Sequence, residues 1–178
     1  ISKVSKEGKL KLLKTIVGHN TVVQSILILE EKSLFISSEW GPNLKIWDLK
    51  SLTPKDIIRT KGMQHTGREM VYLPKYNLIA VAFQDGYIGL YDLETKNPVY
   101  HLPTHSQHCA INSVLYLENK NLLVVGISSG QIKCWTFDKE TPTIKYEFNF
   151  AQDIIGRVIP INGNESLLIA RNASNLIK

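Results

Sequence analysis

His65, His105, His108 and Cys109 are the side chains in this 178-residue sequence whose types and proximity most resemble a metal-ligand set. Imidazole and thiolate suit zinc. Zinc sites, however, space their ligands in paired runs, and a single His-x-x-His-Cys in a loop matches none of them. Neither a metal nor any other cofactor is expected. Catalytic signatures are equally absent, with no G-x-S-x-G elbow, no phosphate-binding P-loop and no G-x-G-x-x-G turn. The acidic residues sit in turn sequence, as in Glu30-Glu31 and Asp138-Lys139-Glu140, where nothing pairs them as general acid and base. The expectation is a protein that is not an enzyme.

What remains is the chemistry of contact. Trp40, in the turn sequence Trp40-Gly41-Pro42-Asn43, is costly to expose; packing against its own neighbouring turn is the preferred reading, and a contact role the alternative, since tryptophan and arginine dominate interface hot spots. Arg68 and Arg157 are read as holding equivalent places in a repeat described below, and with 4 arginines against 17 lysines they stand out as contact candidates above the scattered lysines. The formal net charge of +5 is concentrated in residues 1–14, where five lysines face Glu7 alone and contribute +4. Such a segment is able to bind nucleic acid. Lys9-Leu10-Lys11-Leu12 also alternates as an exposed edge strand does, with lysines discouraging unwanted pairing, and that reading is preferred. Cys109 and Cys134 make no disulfide framework and suit a reducing, intracellular, cytoplasmic setting. No apolar run approaches the ~18 residues of a membrane span. The chain starts at Ile1 without an initiator methionine and is read as an excerpt of a longer polypeptide.

These residues are positioned by a repeat. Leu29, Leu73 and Leu117 are 44 residues apart, and Ile161 continues the series. Each precedes a short loop and then an apolar run: Leu34-Phe35-Ile36, Leu78-Ile79-Ala80-Val81, Leu122-Leu123-Val124-Val125 and, after one extra residue, Leu167-Leu168-Ile169. Ile46-Trp47-Asp48, Leu90-Tyr91-Asp92 and Cys134-Trp135-Thr136 keep the same spacing. Asp85-Gly86 and Ser129-Gly130 supply tight turns, because glycine accepts a positive φ. The first copy reads as one residue longer at this turn. Each unit predicts four short strands, the fourth of the first unit at about Ile57–Thr60, with the second strand buried on both faces and no helix. Four-stranded sheets at a period of 40–45 residues predict an all-β, β-propeller architecture whose blades cover one another's faces.

Gly18-His19 opening a unit and Trp47-Asp48 near its third-strand end resemble the WD-repeat family, over about residues 9–178. The resemblance implies a buried hydrogen-bonded network of His, Ser or Thr, Trp and a turn Asp in each blade. His19, Ser37 and Trp47 match three members in the first unit, Asp85 one in the second and Trp135 one in the third. Blades are expected at 17–61, 62–104 and 105–150, with 9–16 as the outer strand of a preceding blade and 151–178 as the start of a further one. Three full blades do not close a ring, so the propeller is expected to be incomplete. The resemblance further implies a top face, made by the loops between blades and the turns between second and third strands, that docks proteins or peptides. Trp40, His65, Arg68, Tyr87, His108 and Arg157 fall there. The expected function is a non-catalytic protein-interaction scaffold whose partners include the remaining blades of its parent chain. The alternative is a nucleic-acid-associated module using the basic N-terminal segment.

Overall fold

Ser33, Asn77 and Asn121 take up left-handed backbone at φ of 51°, 53° and 52°, and each closes a short 3-10 turn that reverses the chain. Asparagine tolerates this region better than most residues, which is why it recurs there. The computed structural model describes residues 2–4, 8–12, 14–60, 67–104, 109–138, 141–150, 154–163 and 165–172. The reversals organise three antiparallel four-stranded sheets, each a simple meander. The first contains β3 (Val23–Leu29), β4 (Leu34–Glu39), β5 (Asn43–Asp48) and β6 (Pro54–Arg59). The second contains β7 (Gly67–Leu73), β8 (Leu78–Phe83), β9 (Tyr87–Asp92) and β10 (Pro98–Pro103). The third contains β11 (Ile111–Leu117), β12 (Leu122–Ile127), β13 (Gln131–Thr136) and β14 (Thr143–Asn149). Two-stranded sheets flank them in sequence, β1 (Ser2–Val4) with β2 (Leu10–Leu12), and β15 (Ile154–Ile161) with β16 (Ser166–Asn172). Among the described residues there is no α-helix, and no helix is long and apolar enough to cross a membrane.

Burial follows the alternation of strands and sheets. Every residue of β8 and β12 is buried, so these second strands are apolar on both faces. Leu29, Ile36, Leu44, Ile46 and Ile58 of the first sheet meet Met70, Ile79, Val81, Phe83 and Tyr91 of the second. Comparable apolar layers join the second sheet to the third, and the third to β15–β16. The first strands β3, β7, β11 and β15 lie side by side in order. This is the stacking of propeller blades, and the described sheets form an incomplete propeller.

Three details of register depart from the sequence reading. Ile161 pairs with Ser166 as Leu117 pairs with Leu122, so the last loop contains no extra residue, and Ser166 rather than Leu167 stands at the Leu122 position. The first-sheet turn is no longer than its counterpart: Ser38 pairs with Leu44 as Ala82 pairs with Ile88. Its sequence differs, but its span does not. The outer strand β6 spans Pro54–Arg59, starting earlier and ending one residue sooner than the expected Ile57–Thr60. Asp48 causes this, because its Oδ1 accepts from the Lys50 and Ser51 N–H groups (3.0 and 2.8 Å) and reverses the chain tightly.

Candidate functional site

The first sheet assembles a connected polar cluster. Trp47 Nε1–H donates to Ser37 Oγ at 2.7 Å, and Ser37 Oγ lies 2.5 Å from His19 Nε2. Since the hydroxyl accepts from the indole, its own proton is available to His19, which places the ring proton on Nδ1. Glu39 Oε2 stands 3.2 Å from that Nδ1. The same carboxylate accepts from Asn20 N–H (3.1 Å) and Thr21 Oγ1–H (3.3 Å), and Lys45 Nζ stands 3.6 Å from its other oxygen. Burial works to raise the Glu39 carboxyl. Hydrogen bonds from Asn20 and His19 and the charge of Lys45 outweigh it and hold the group below its ordinary value. Phe35 stacks on Trp47 at 5.6 Å between ring centroids, and Gly18 sits so close that a Cβ there would overlap the indole.

Glu39 was not singled out by sequence. The turn of this sheet lacks the expected aspartate, and a carboxylate on β4 reaches the histidine instead. Glu39 lies two residues beyond Ser37 on the same face of the strand, but nothing in the sequence marks its approach to His19.

The second and third sheets carry less of this cluster. Tyr91 occupies the Trp47 position and is fully buried, with no hydrogen-bond partner for its hydroxyl among the described residues. Burial, then the charge of Asp85, raise that phenol well above its ordinary range. Asp85 Oδ1 is likewise buried and without a hydrogen-bond partner there. Gly89 makes room for the phenol, since a Cβ would stand 2.7 Å from its oxygen. The equivalent positions in the neighbouring sheets hold Lys45 and Lys133. Trp135 is buried in the apolar layer between the second and third sheets. Thr60 and Thr104, unremarked in the sequence reading, are both almost wholly buried and donate to the carbonyls of Pro42 and Gly86. Their 44-residue spacing could have revealed them.

The contact candidates separate into distinct places. Trp40 is 63% exposed, on a turn pinned by its own N–H to Val22 O (3.0 Å) and by Thr21 Oγ1–H to Trp40 O (3.0 Å). Tyr87 begins β9 and is half-buried. Arg68 and Arg157 occupy the first strands, each of which bulges at the same register: Val23/Ser25, Gly67/Glu69, Ile111/Ser113 and Ile155/Arg157. The two arginines are therefore not equivalent in their repeats. Arg157 matches Glu69 and Ser113, whereas Arg68 matches Asn112. Arg157 Nη2 pairs with Glu69 Oε1 at 3.0 Å, Glu69 Oε2 accepts from Val114 N–H at 2.7 Å, and Arg68 Nη1 reaches Asn112 Oδ1 at 3.4 Å. His65 and His108 lie outside the described residues, as does His105. Among the described residues no group of three His, Cys, Asp or Glu side chains could hold a metal ion.

A family model described as the anaphase-promoting complex subunit 4 WD40 domain matches residues 70–159. That span runs from within β7 into β15, and so takes in the whole of the third sheet. No curated protein matches the chain.

Proposed function

Because the chain belongs to the family of the anaphase-promoting complex subunit 4 WD40 domain, we propose that it is a non-catalytic scaffold holding other proteins within a multi-subunit assembly. The matched family is named after a subunit of a complex, which supports a role in assembly. The observation carrying the reading is Trp40, a large apolar side chain displayed on a backbone held at both N–H and C=O. A rigidly presented aromatic loses little conformational freedom on binding, which is what makes such residues anchors. Tyr87, Arg68 and Arg157, with His65 and His108, are assigned to the same contact face from sequence.

The division into blades at 17–61, 62–104 and 105–150 is supported by the sheet limits, since each four-stranded sheet falls within one division. The outward apolar face of the first sheet supports a further blade of the parent chain as its cover. Two free cysteines fit a reducing, intracellular compartment.

The test is affinity purification of the full-length protein from its own cells, followed by quantitative identification of what co-purifies. Trp40→Ala should reduce at least one stoichiometric partner severalfold while leaving the melting temperature unchanged. Unaltered partners in that variant would remove Trp40 from the interface. The nucleic-acid alternative requires residues 1–14, so binding that disappears on their deletion and falls steeply with salt would favour it.

A further inference from the structure

We propose that Arg68 and Arg157 form a dock for an acidic peptide segment, recognised through its side-chain carboxylates. The inference rests on the scaffold reading above and names the chemistry of one partner.

A bulge leaves one residue of each first strand outside the ladder, its side chain freed from cross-strand packing. Those residues are Gln24, Arg68, Asn112 and Gly156. Arg68 is itself such a residue, and Arg157 is the ladder residue, paired with Ala170, that follows the bulged Gly156; a neighbour holds each exposed guanidinium in place. Asn112 donates through Nδ2 to the Ile155 carbonyl at 2.9 Å, which fixes the amide and turns Oδ1 toward Arg68. Glu69 spends both oxygens, one on Val114 N–H and one on Arg157, and its side chain is only 18% exposed. Its charge therefore serves to orient Arg157, which remains 62% exposed. Each guanidinium carries five donors in a planar fork, and each uses one in the contacts described. The remaining donors can grip a carboxylate bidentately, in the geometry arginine favours over lysine. Gly156, beside Arg157, contributes no side chain, and among the described residues a Cβ there would meet only Ala170 O, at 3.6 Å. Among the described residues this leaves room beside Arg157 for an approaching chain.

The choice of a peptide over nucleic acid follows from charge. Two arginines beside Glu69 give a local excess of one positive charge, enough for one or two carboxylates. A phosphate backbone needs a long basic track. Outside residues 1–14 the chain has only +1, the +5 total less the +4 of that segment.

The experiment uses the full-length protein and fluorescein-labelled hexaglutamate, read by fluorescence anisotropy. Hexalysine, a twelve-nucleotide single-stranded DNA and inorganic phosphate serve as competitors. Hexaglutamate should bind. Arg68→Gln and Arg157→Gln should each weaken it by about tenfold, and the double variant by more, as loss of charge-assisted pairs requires. Arg157→Lys, which keeps the charge beside Glu69 but loses the fork, should fall between. Hexalysine should not compete. Among the described residues Arg68 bonds Asn112 alone, so Arg68→Gln guards against an unfolded Arg157 variant, with folding checked by thermal melting.

The dock is overturned if the double variant binds within twofold of the wild type, or if phosphate or DNA displaces hexaglutamate as well as unlabelled hexaglutamate does. Co-purifying partners that persist alongside that failure would leave the scaffold reading standing. Hexaglutamate binding without any co-purifying partner would sink the scaffold reading and spare the dock.

Discussion

At the scale of single residues, the first-sheet cluster converts identity into stability. Gly18 presses on an indole that Phe35 already holds from stacking distance, so the ring has nowhere to retreat. Gly18→Ala is expected to cost about 1–3 kcal/mol, the usual penalty for overfilling a tight core, measurable by urea denaturation. Glu39 predicts a pH dependence. Its folded carboxyl lies below the ordinary value of 4.5, so it contributes stability that is fully present above that value. The contribution fades as pH falls through the lowered folded value. Melting temperature followed from pH 6 to pH 3 should therefore drop, and Glu39→Gln should flatten that acid limb. An unchanged slope in the variant would show that other carboxylates govern acid unfolding. His19, Ser37 and Trp47 could be picked out from their spacing and types. Glu39 could not, because its role depends on a through-space approach to a residue 20 positions away.

At the scale of elements, the seams between sheets are held by apolar layers, reinforced by a few hydrogen bonds. Ser38 Oγ–H donates to Gly67 O at 2.7 Å across the first seam, and Ser113 Oγ bonds both the N–H and C=O of Val158 across the third. Gly126 on β12 lies against β15, where a Cβ would stand 2.7 Å from Ile155 Cγ2 and 3.2 Å from Val158 Cγ2. Neither neighbour is a flexible side-chain end, so Gly126→Ala should push β15–β16 away from the third sheet. Hydrogen exchange on the full-length protein should show faster exchange in β15 and β16, with β7–β10 unaffected. Uniform protection would mean that the seam absorbs the methyl group. The strands themselves were legible because apolar period and 44-residue spacing are local, repeated signals. The start of β6 and the Ser166 register were not, since a capping aspartate and cross-strand pairing set them.

At the scale of the whole molecule, the sheet stack presents apolar ends. Ile26 and Ile28 on β3 are 60% and 56% exposed, and beside them runs a groove of about 580 Å³ lined by Val17, Phe35 and Trp47. Ile159, Ile161 and Leu168 are exposed on β15–β16. Contiguous apolar surface of this kind drives association in water. Residues 1–178 expressed alone are therefore expected to self-associate at micromolar concentration, as read by light scattering after size exclusion. Ile26→Lys with Ile28→Lys should shift the population toward monomer. A monomeric wild-type fragment would show that these faces tolerate solvent. By itself the sequence determined the repeat, the four-stranded unit, the doubly buried second strands and the turn glycines, because each is written in residues close together and restated every 44 positions. Only the tertiary structure decided that Glu39 completes the first-sheet cluster, that Arg157 pairs with Glu69, and that Trp40 faces solvent. Those outcomes depend on distances between strands far apart in the chain, which neither period nor composition encodes.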